Sequence, residues 1–456
     1  MLADVRSGRG LRVSELRVNE VQPPPTLVPR HLPRLDAETL GRAAIAHAAV
    51  RADVEVERPT PQTPRIVSSA HGALRHLLLC YPSYAGGDDV YRDVFVDLFG
   101  QLPSSVDLTV LAHASVVGEL QQSLQRLRQG AETTIVEAPE YLRYTVWAED
   151  PCVVVEDVAT DPPRRFLVEP FTFPRAGDSI VAELVAEASE IQSIQSPLYF
   201  QGGNILVGDD FVLIGVDYLF ETLETFARYR PVLGLPDDRG AAQEFVVDLF
   251  GKTFDPARNF FFAGTRLRVP DVETRPVTID GEQWTEVLYA GRGNQQPIFH
   301  IDMFVSLTGR GPSGRYRLLV GSPAEADRLL DRPTLPQALS ELFDDVAREL
   351  EAQNFDVVRN PLPLTYVDDP EARQRFWYFA TSNNCLVQID EAEGNHVWLP
   401  TYGHGAWSEL TATDDANRRV WEELDFTVHQ LADFNVFAQN LGSVHCIKKY
   451  LARSSP

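Results

Sequence analysis

From about His71 onward the chain alternates between two hydrophobic rhythms. Short runs in which nearly every, or every second, residue is apolar predict strands, and longer stretches with apolar residues three and four apart predict amphipathic helices. The first unit reads as a strand over 77–81, a helix over 88–102, a strand over 107–111 and a helix over 116–128. The pattern then returns as hairpins followed by helices. Strands over 152–156 and 165–170 precede a helix over 179–189, and strands over 204–208 and 211–215 precede one over 241–250. Strands over 301–307 and 315–320 precede a helix over 335–350, and strands over 385–389 and 396–399 precede one around 416–424. Five passes at roughly 50–95 residue spacing predict an α/β repeat fold in which each unit buries its apolar face on its neighbours. An ordinary α/β sandwich with recurring hairpins satisfies the same periodicity.

Residues 1–70 have a different texture. Pro-rich stretches, Gln22-Pro-Pro-Pro25 and Pro59-Thr-Pro-Gln-Thr-Pro64, flank a single expected helix over 36–50, so this part reads as an N-terminal extension to a main domain over 71–456. The charge narrows the partners. With 41 Lys and Arg against 65 Asp and Glu, the formal charge of −24 disfavours nucleic acid and anionic membrane surfaces and favours a cationic small molecule or basic peptide. No run approaches the roughly 18 apolar residues that span a bilayer, and the first residues lack a signal peptide's apolar segment, which leads to an expectation of a cytoplasmic protein. The four cysteines are scattered singly with no Cys-x-x-Cys pair, so neither a disulfide framework nor a zinc ribbon is expected. Cys80, Cys152 and Cys385 lie in apolar, strand-like surroundings and read as buried thiols.

Four polar clusters stand at or near the start of these units: Trp147-Ala-Glu-Asp150-Pro, Phe200-Gln201-Gly202-Gly203-Asn204, Phe299-His300-Ile-Asp302-Met and Gly442-Ser-Val-His445-Cys446. In a circular repeat, equivalent positions of successive units converge, so a thiol, a histidine and carboxylates distant in sequence can form one thiol-based site. Each cluster also has a plainer reading. Asp150-Pro151 suits a turn before a strand, and Gly202-Gly203-Asn204 suits a bulge or turn, lacking the spacing of a phosphate loop. On a strand, His300 and Asp302 would share one face, which fits a base beside a cation-binding carboxylate and equally a metal pair. No third histidine has ligand spacing, so neither metal nor cofactor is expected. A reactive Cys446 would need an electropositive, partly exposed setting, and His445, as its strand neighbour, would point away and act only positionally. The acidic pairs Asp209-Asp210, Asp344-Asp345 and Asp368-Asp369 lack calcium-loop spacing and read as solvated turns.

Together, Trp147 with Asp150, the Gly202-Gly203-Asn204 turn, His300-Ile-Asp302-Met-Phe, Tyr378-x4-Asn383 and Gly442-Ser-Val-His445-Cys446 resemble, in that order, the guanidino-group-modifying enzymes. These are the peptidylarginine, agmatine and arginine deiminases and the related amidinotransferases, and the Gly-x-x-His-Cys form is most similar to agmatine and peptidylarginine deiminases or glycine amidinotransferase. The resemblance covers about residues 75–452 and implies the pentein fold, a five-fold pseudosymmetric α/β propeller of ββαβ-type repeats, with 71–456 as the catalytic domain. It further implies Cys446, His300, Asp150 and Asp302 as catalytic residues. Asp150, Asp302, Gln201, Asn204, Asn383 and Trp147 would contact a guanidino small molecule or arginine-containing peptide. The implied reaction is a thiol-dependent deimination through an amidino-Cys446 intermediate. Amidino transfer to an amine, its acceptor chosen by loops such as 291–296, and non-catalytic guanidinium binding are the alternatives, and a homo-oligomer is compatible with all three. Three departures stand out. Gln201 occupies a position where these deiminases usually carry a Glu that supports the histidine; Glu149-Asp150 replaces Arg-Asp; and Ile447-Lys448-Lys449-Tyr450 replaces a Thr-rich tail.

Overall fold

Leu74–Tyr81, with its nearly unbroken apolar run, forms a strand buried on both faces, and the stretch after it becomes the helix Asp89–Gln101. Asp88 caps that helix by accepting from the Val90 amide, and Tyr91, Val94, Phe95, Leu98 and Phe99 are buried along one stripe. In the computed structural model, which describes residues 60–228, 236–265, 268–269, 272–289, 294–332 and 337–454, all five expected passes are small sheets with one shared wiring. In each, a first strand is antiparallel to a second, and the second is parallel to a third reached through a helix. Four sheets follow in chain order. The first is Val153–Asp157, Arg164–Glu169 and Gln192–Gln195, and the second is Ile205–Val207, Phe211–Gly215 and Asn259–Ala263. The third is Val305–Arg310, Tyr316–Ser322 and Asp356–Pro361, and the fourth is Leu386–Gln388, His396–Thr401 and Thr427–Asp433. The remaining sheet joins the two ends of the described chain: Lys448–Arg453 is antiparallel to Leu74–Tyr81, which is parallel to Asp107–His113. Parallel partners cannot be linked by a tight turn, so the helix in every unit follows from the strand order.

Several expectations change. His300 and Asp302 do not share a strand face, because Ile301–Met303 is a 3-10 turn and the strand begins only at Val305. A helix, Val216–Arg228, follows directly on Phe211–Gly215 where none was expected. Residues 64–70 belong to the fold: Pro64–Ile66 pairs antiparallel with Val153–Asp157, the Ser69 amide donates to the Val207 carbonyl, and the Ala70 carbonyl accepts from the Ile389 amide. The helix expected over 36–50 lies outside the described residues, as do residues 291–293 of the loop expected to choose an acceptor. A further sheet, made of the hairpins Val272–Ile279 with Glu282–Tyr289 and Leu364–Asp369 with Gln374–Phe379, stands apart from the repeats. Its first turn, Asp280-Gly281, has positive φ at both residues, the chemistry of a tight hairpin.

Cys80, Cys152 and Cys385 are buried as expected. Each acidic pair has an arginine against it: Arg310 on Asp209 and Asp210, Arg359 on Asp344, Arg348 on Asp345 and Arg375 on Asp368. Among the described residues no helix is long and apolar enough to cross a membrane. The shared wiring matters most for the turn leading into each first strand: Asp150 precedes Val153, Gly202–Asn204 precedes Ile205, Ile301–Met303 precedes Val305, Asn384 precedes Leu386 and Cys446 precedes Lys448.

Candidate active site

These five leading turns are tied to one another in a closed ring of hydrogen bonds. The Gly202 amide donates to the Asp150 carbonyl at 3.0 Å and the Ile301 amide to Asn204 Oδ1 at 2.9 Å. Asn384 Nδ2 donates to the Asp302 carbonyl at 3.5 Å, the Cys446 amide donates to Asn384 Oδ1 at 3.2 Å, and the Glu149 amide returns to the Cys446 carbonyl at 3.1 Å. Asp150, His300, Asp302 and Cys446, up to 296 positions apart in the chain, therefore share one site, and each is at most 5 % exposed.

Gly203 forms its floor. A Cβ there would lie 2.7 Å from His300 Nδ1, 2.9 Å from Asp150 Oδ1 and 3.1 Å from Asp302 Oδ2, so only glycine lets the three side chains close over this point. Asp302 Oδ2 accepts from His445 Nδ1 at 2.8 Å and lies 3.7 Å from Cys446 Sγ. Asp302 Oδ1 is buried with no hydrogen-bond partner among the described residues. Asp150 Oδ1 accepts from the Gly203 amide at 3.3 Å and stands 3.7 Å from His300 Nδ1, while its Oδ2 accepts from Arg175 at 2.8 Å. His300 Nε2 is 3.1 Å from the Tyr218 hydroxyl.

The electrostatics are dominated by burial and by two facing carboxylates. Burial, then Asp150, pushes the Asp302 carboxyl well above its usual range. Burial, then Asp302 and Asp150, pushes the Cys446 thiol well above its ordinary 9.0. The thiol is thus buried and faces carboxylates, the reverse of the electropositive, partly exposed setting expected from sequence. A cation held by both carboxylates removes two of the three causes that keep the thiol protonated. Among the described residues, no group of three or more His, Cys, Asp or Glu side chains is arranged to hold a metal.

Neither a family model nor a curated protein matches the chain. Solved structures do. A structural-genomics protein assigned as an agmatine deiminase superposes with a TM-score of 0.55 at 14 % identity, covering 86 % of this chain and 98 % of its own. The C. jejuni agmatine deiminase gives 0.50 at 12 % identity, covering 85 % and 96 %. The chain has the agmatine deiminase fold.

On that fold, several expected contacts fall elsewhere. Asn383 turns away from the site: its Nδ2 donates to Ser306 Oγ at 3.2 Å and Asn360 Oδ1 at 3.0 Å, and Asn360 donates back to it at 3.1 Å. Its neighbour Asn384 faces the thiol instead, with Nδ2 3.2 Å from Cys446 Sγ. Asn204 spends its amide on the frame, accepting from Ile301 and donating to Asp217 Oδ1 at 3.1 Å. The Asp217 carboxyl, pushed up to about 7 by burial, also accepts from Gln296. Trp147 is a buried wall. It packs edge-on to Phe437, and a Cβ on Gly442 would overlap its ring. Gln201 is half-buried and its carbonyl accepts from the Asn204 amide at 3.1 Å, closing the Gly202–Asn204 turn. His445 is not turned away from Cys446. The stretch before Lys448 is a turn rather than a strand, so both side chains reach the same Asp302 oxygen. Tyr218, Arg175, Asn384 and Asp217 carried no sequence signal beyond adjacency, the second Asn of a pair being the nearest to one.

Two departures noted in the sequence form a single feature of this structure. Glu149 is buried and accepts from Lys448 Nζ and Lys449 Nζ, each at 2.8 Å. Burial opposes its ionisation, but the two ammoniums hold the carboxyl down to about 2. Burial lowers Lys448 to about 8, so it and Glu149 both remain charged at neutral pH.

Proposed function

We propose that this chain is a thiol-dependent guanidino-group hydrolase of the pentein type, with its five units around a common axis and a cytoplasmic setting. The observation that carries the reading is Asp302: one oxygen is buried and unpartnered, the other lies 3.7 Å from Cys446 Sγ, and Asp150 faces the same floor at Gly203. A buried acceptor without a donor costs on the order of 1–3 kcal/mol, which a ligand N–H would recover. A guanidinium offers planar N–H groups to both carboxylates, Asp302 through Oδ1 and Asp150 through Oδ1, in charge-assisted bonds that set its central carbon before the thiol.

The cation then lowers the thiol's pKa from its raised value, the thiol proton passes to His300, and the thiolate attacks the central carbon to give a tetrahedral adduct. His300 gives that proton to the departing nitrogen, and ammonia leaves an S-alkylthiouronium on Cys446. His300 next takes a proton from water, whose hydroxide adds to the same carbon, and the C–S bond breaks. The hydroxyl proton of this second adduct returns to the sulfur, so a ureido product and the thiol are released, and the proton left on His300 passes out as ammonium. Asn384, donating to Sγ, steadies the sulfur through both additions.

The test incubates wild type and Cys446→Ala with agmatine, arginine and arginine-containing peptides and identifies products by mass spectrometry. A ureido product with ammonia from wild type, absent in Cys446→Ala, supports the reading. Ornithine formed only with an added amine makes the protein an amidinotransferase, and no change in any guanidino compound ends the enzymatic reading.

A further inference from the structure

Beneath the thiol lies a group of charges that the reaction above does not use: His445, Glu149, Lys448, Lys449 and Arg453. We infer that His445 is a positioning residue for Asp302: as a neutral imidazole it donates its Nδ1 proton to Asp302 Oδ2, aiming Oδ1 at the ligand without cancelling the carboxylate's charge. The inference rests on the guanidino reading and adds a reason why no internal cation competes with the substrate for Asp302.

Geometry sets the tautomer. His445 Nδ1 is 2.8 Å from Asp302 Oδ2, an acceptor, so the proton belongs on Nδ1. His445 Nε2 is buried with no partner among the described residues. A second proton there would create a buried, unsatisfied N–H on a charged ring, which is far costlier than an idle lone pair. Every side of the ring has been occupied accordingly. Asp302 and Cys446 lie toward the site, and the Tyr450 ring stands 6.0 Å away, edge-on. Lys448 Nζ lies 3.7 Å from the Tyr450 ring centroid and Arg453 lies 4.1 Å from it. Burial first, then the Lys448 ammonium, with Lys449 and Arg453, hold His445 well below its usual range, while Glu149 opposes them.

The consequence is functional. An imidazolium at position 445 would form an internal ion pair with Asp302 and compete with any cationic ligand for it. A neutral ring restrains the carboxylate by one hydrogen bond and leaves its charge for the ligand. Lys448 and Lys449 thus guard the site's negative charge indirectly, and Glu149 keeps those two ammoniums tolerable inside the protein.

The test uses the full chain with ¹⁵N-labelled histidine, the His445 signals being assigned by their loss in His445→Asn. Wild type is expected to show a neutral Nδ1–H ring from pH 6 to 8. In Lys448→Met, which removes the largest cause after burial, His445 is expected to take up a proton at a higher pH than in wild type. In parallel, agmatine is titrated calorimetrically into the Cys446→Ala protein. Adding His445→Leu should weaken binding by about tenfold or more. His445→Asn, whose amide can still donate to Asp302, should stay within about threefold. A His445 imidazolium at pH 7 overturns the inference, and so does a Leu variant that binds as well as its parent or an Asn variant that binds as poorly as Leu. If wild type neither binds nor converts any guanidino compound, the functional reading falls, and the NMR titration alone then decides the state of His445.

Discussion

Replacing Glu149 with Gln probes the buried charge cluster directly. The carboxylate is 4 % exposed and accepts from two ammoniums at 2.8 Å each, so the amide would leave Lys448 and Lys449 without a counter-charge inside the protein. A carboxyl held at about 2 against an ordinary 4.5 corresponds to about 3 kcal/mol of native-state stability. Breaking a buried pair from one side costs about 3–5 kcal/mol, in agreement. The sign with pH follows. Because the folded value lies below the unfolded one, the contribution is complete above about pH 4.5 and is lost as pH falls through about 2. In Glu149→Gln that part of the acid slope disappears. Lys448, already lowered to about 8, would shed its proton near neutrality, so the variant is less impaired at pH 9 than at pH 7.

Urea denaturation of wild type and Glu149→Gln across pH 2–9 measures these differences. Adding Lys448→Met to Glu149→Gln should recover part of the loss by removing one orphaned charge. A loss below about 1 kcal/mol at pH 7, or a double variant no more stable than the single one, would refute the account of the cluster as a coupled ion triad.

Three further outcomes are expected. Asn384→Ala should cut turnover by about two orders of magnitude with a modest effect on stability, because it removes the donor to Cys446 Sγ, a loss of the size seen when one oxyanion-type donor is deleted. Asn383→Ala should do the opposite, costing about 1–3 kcal/mol by stripping partners from Asn360 and Ser306 while leaving turnover per folded molecule nearly intact; parallel kinetics and urea melts compare the two. Cys446 should react slowly with iodoacetamide at pH 7, its rate climbing only above pH 9, and Asp302→Asn should bring that rise to lower pH by removing the nearest charge that opposes the thiolate. Site-resolved mass spectrometry follows it apart from Cys80, Cys152 and Cys385, and an Asp302→Asn profile identical to wild type would contradict the assigned cause.

Local periodicity determined most of the elements, because a buried strand and a one-faced helix each impose a short-range pattern on the chain. The helix at Asp89–Gln101 and the hairpins of the four later units were readable for that reason, whereas the pairing of Lys448–Arg453 with Leu74–Tyr81 across the whole chain was not. The polar residues before each first strand were readable too, as clusters of unusual chemistry at recurring places. What the pattern could not contain was orientation. Asn383 and Asn384, neighbours ahead of Leu386, point to different partners, and the sequence did not say which of them faces the thiol. His445 and Cys446 meet on one carboxylate oxygen because a turn, not a strand, leads into Lys448. The pairing of Glu282–Tyr289 with Gln374–Phe379, which joins the two extra hairpins into one sheet, was not readable because these strands lie far apart in the chain and pair through backbone bonds that carry no residue signature. The charge of −24 suggested a cation, as a net sum can. Only the fold decided that Asp302 offers a buried unpartnered oxygen beside the thiol while Glu149, one residue from Asp150, is consumed by two lysines. Burial and partner choice are set by residues brought together over some 300 positions, and no local stretch of sequence specifies them.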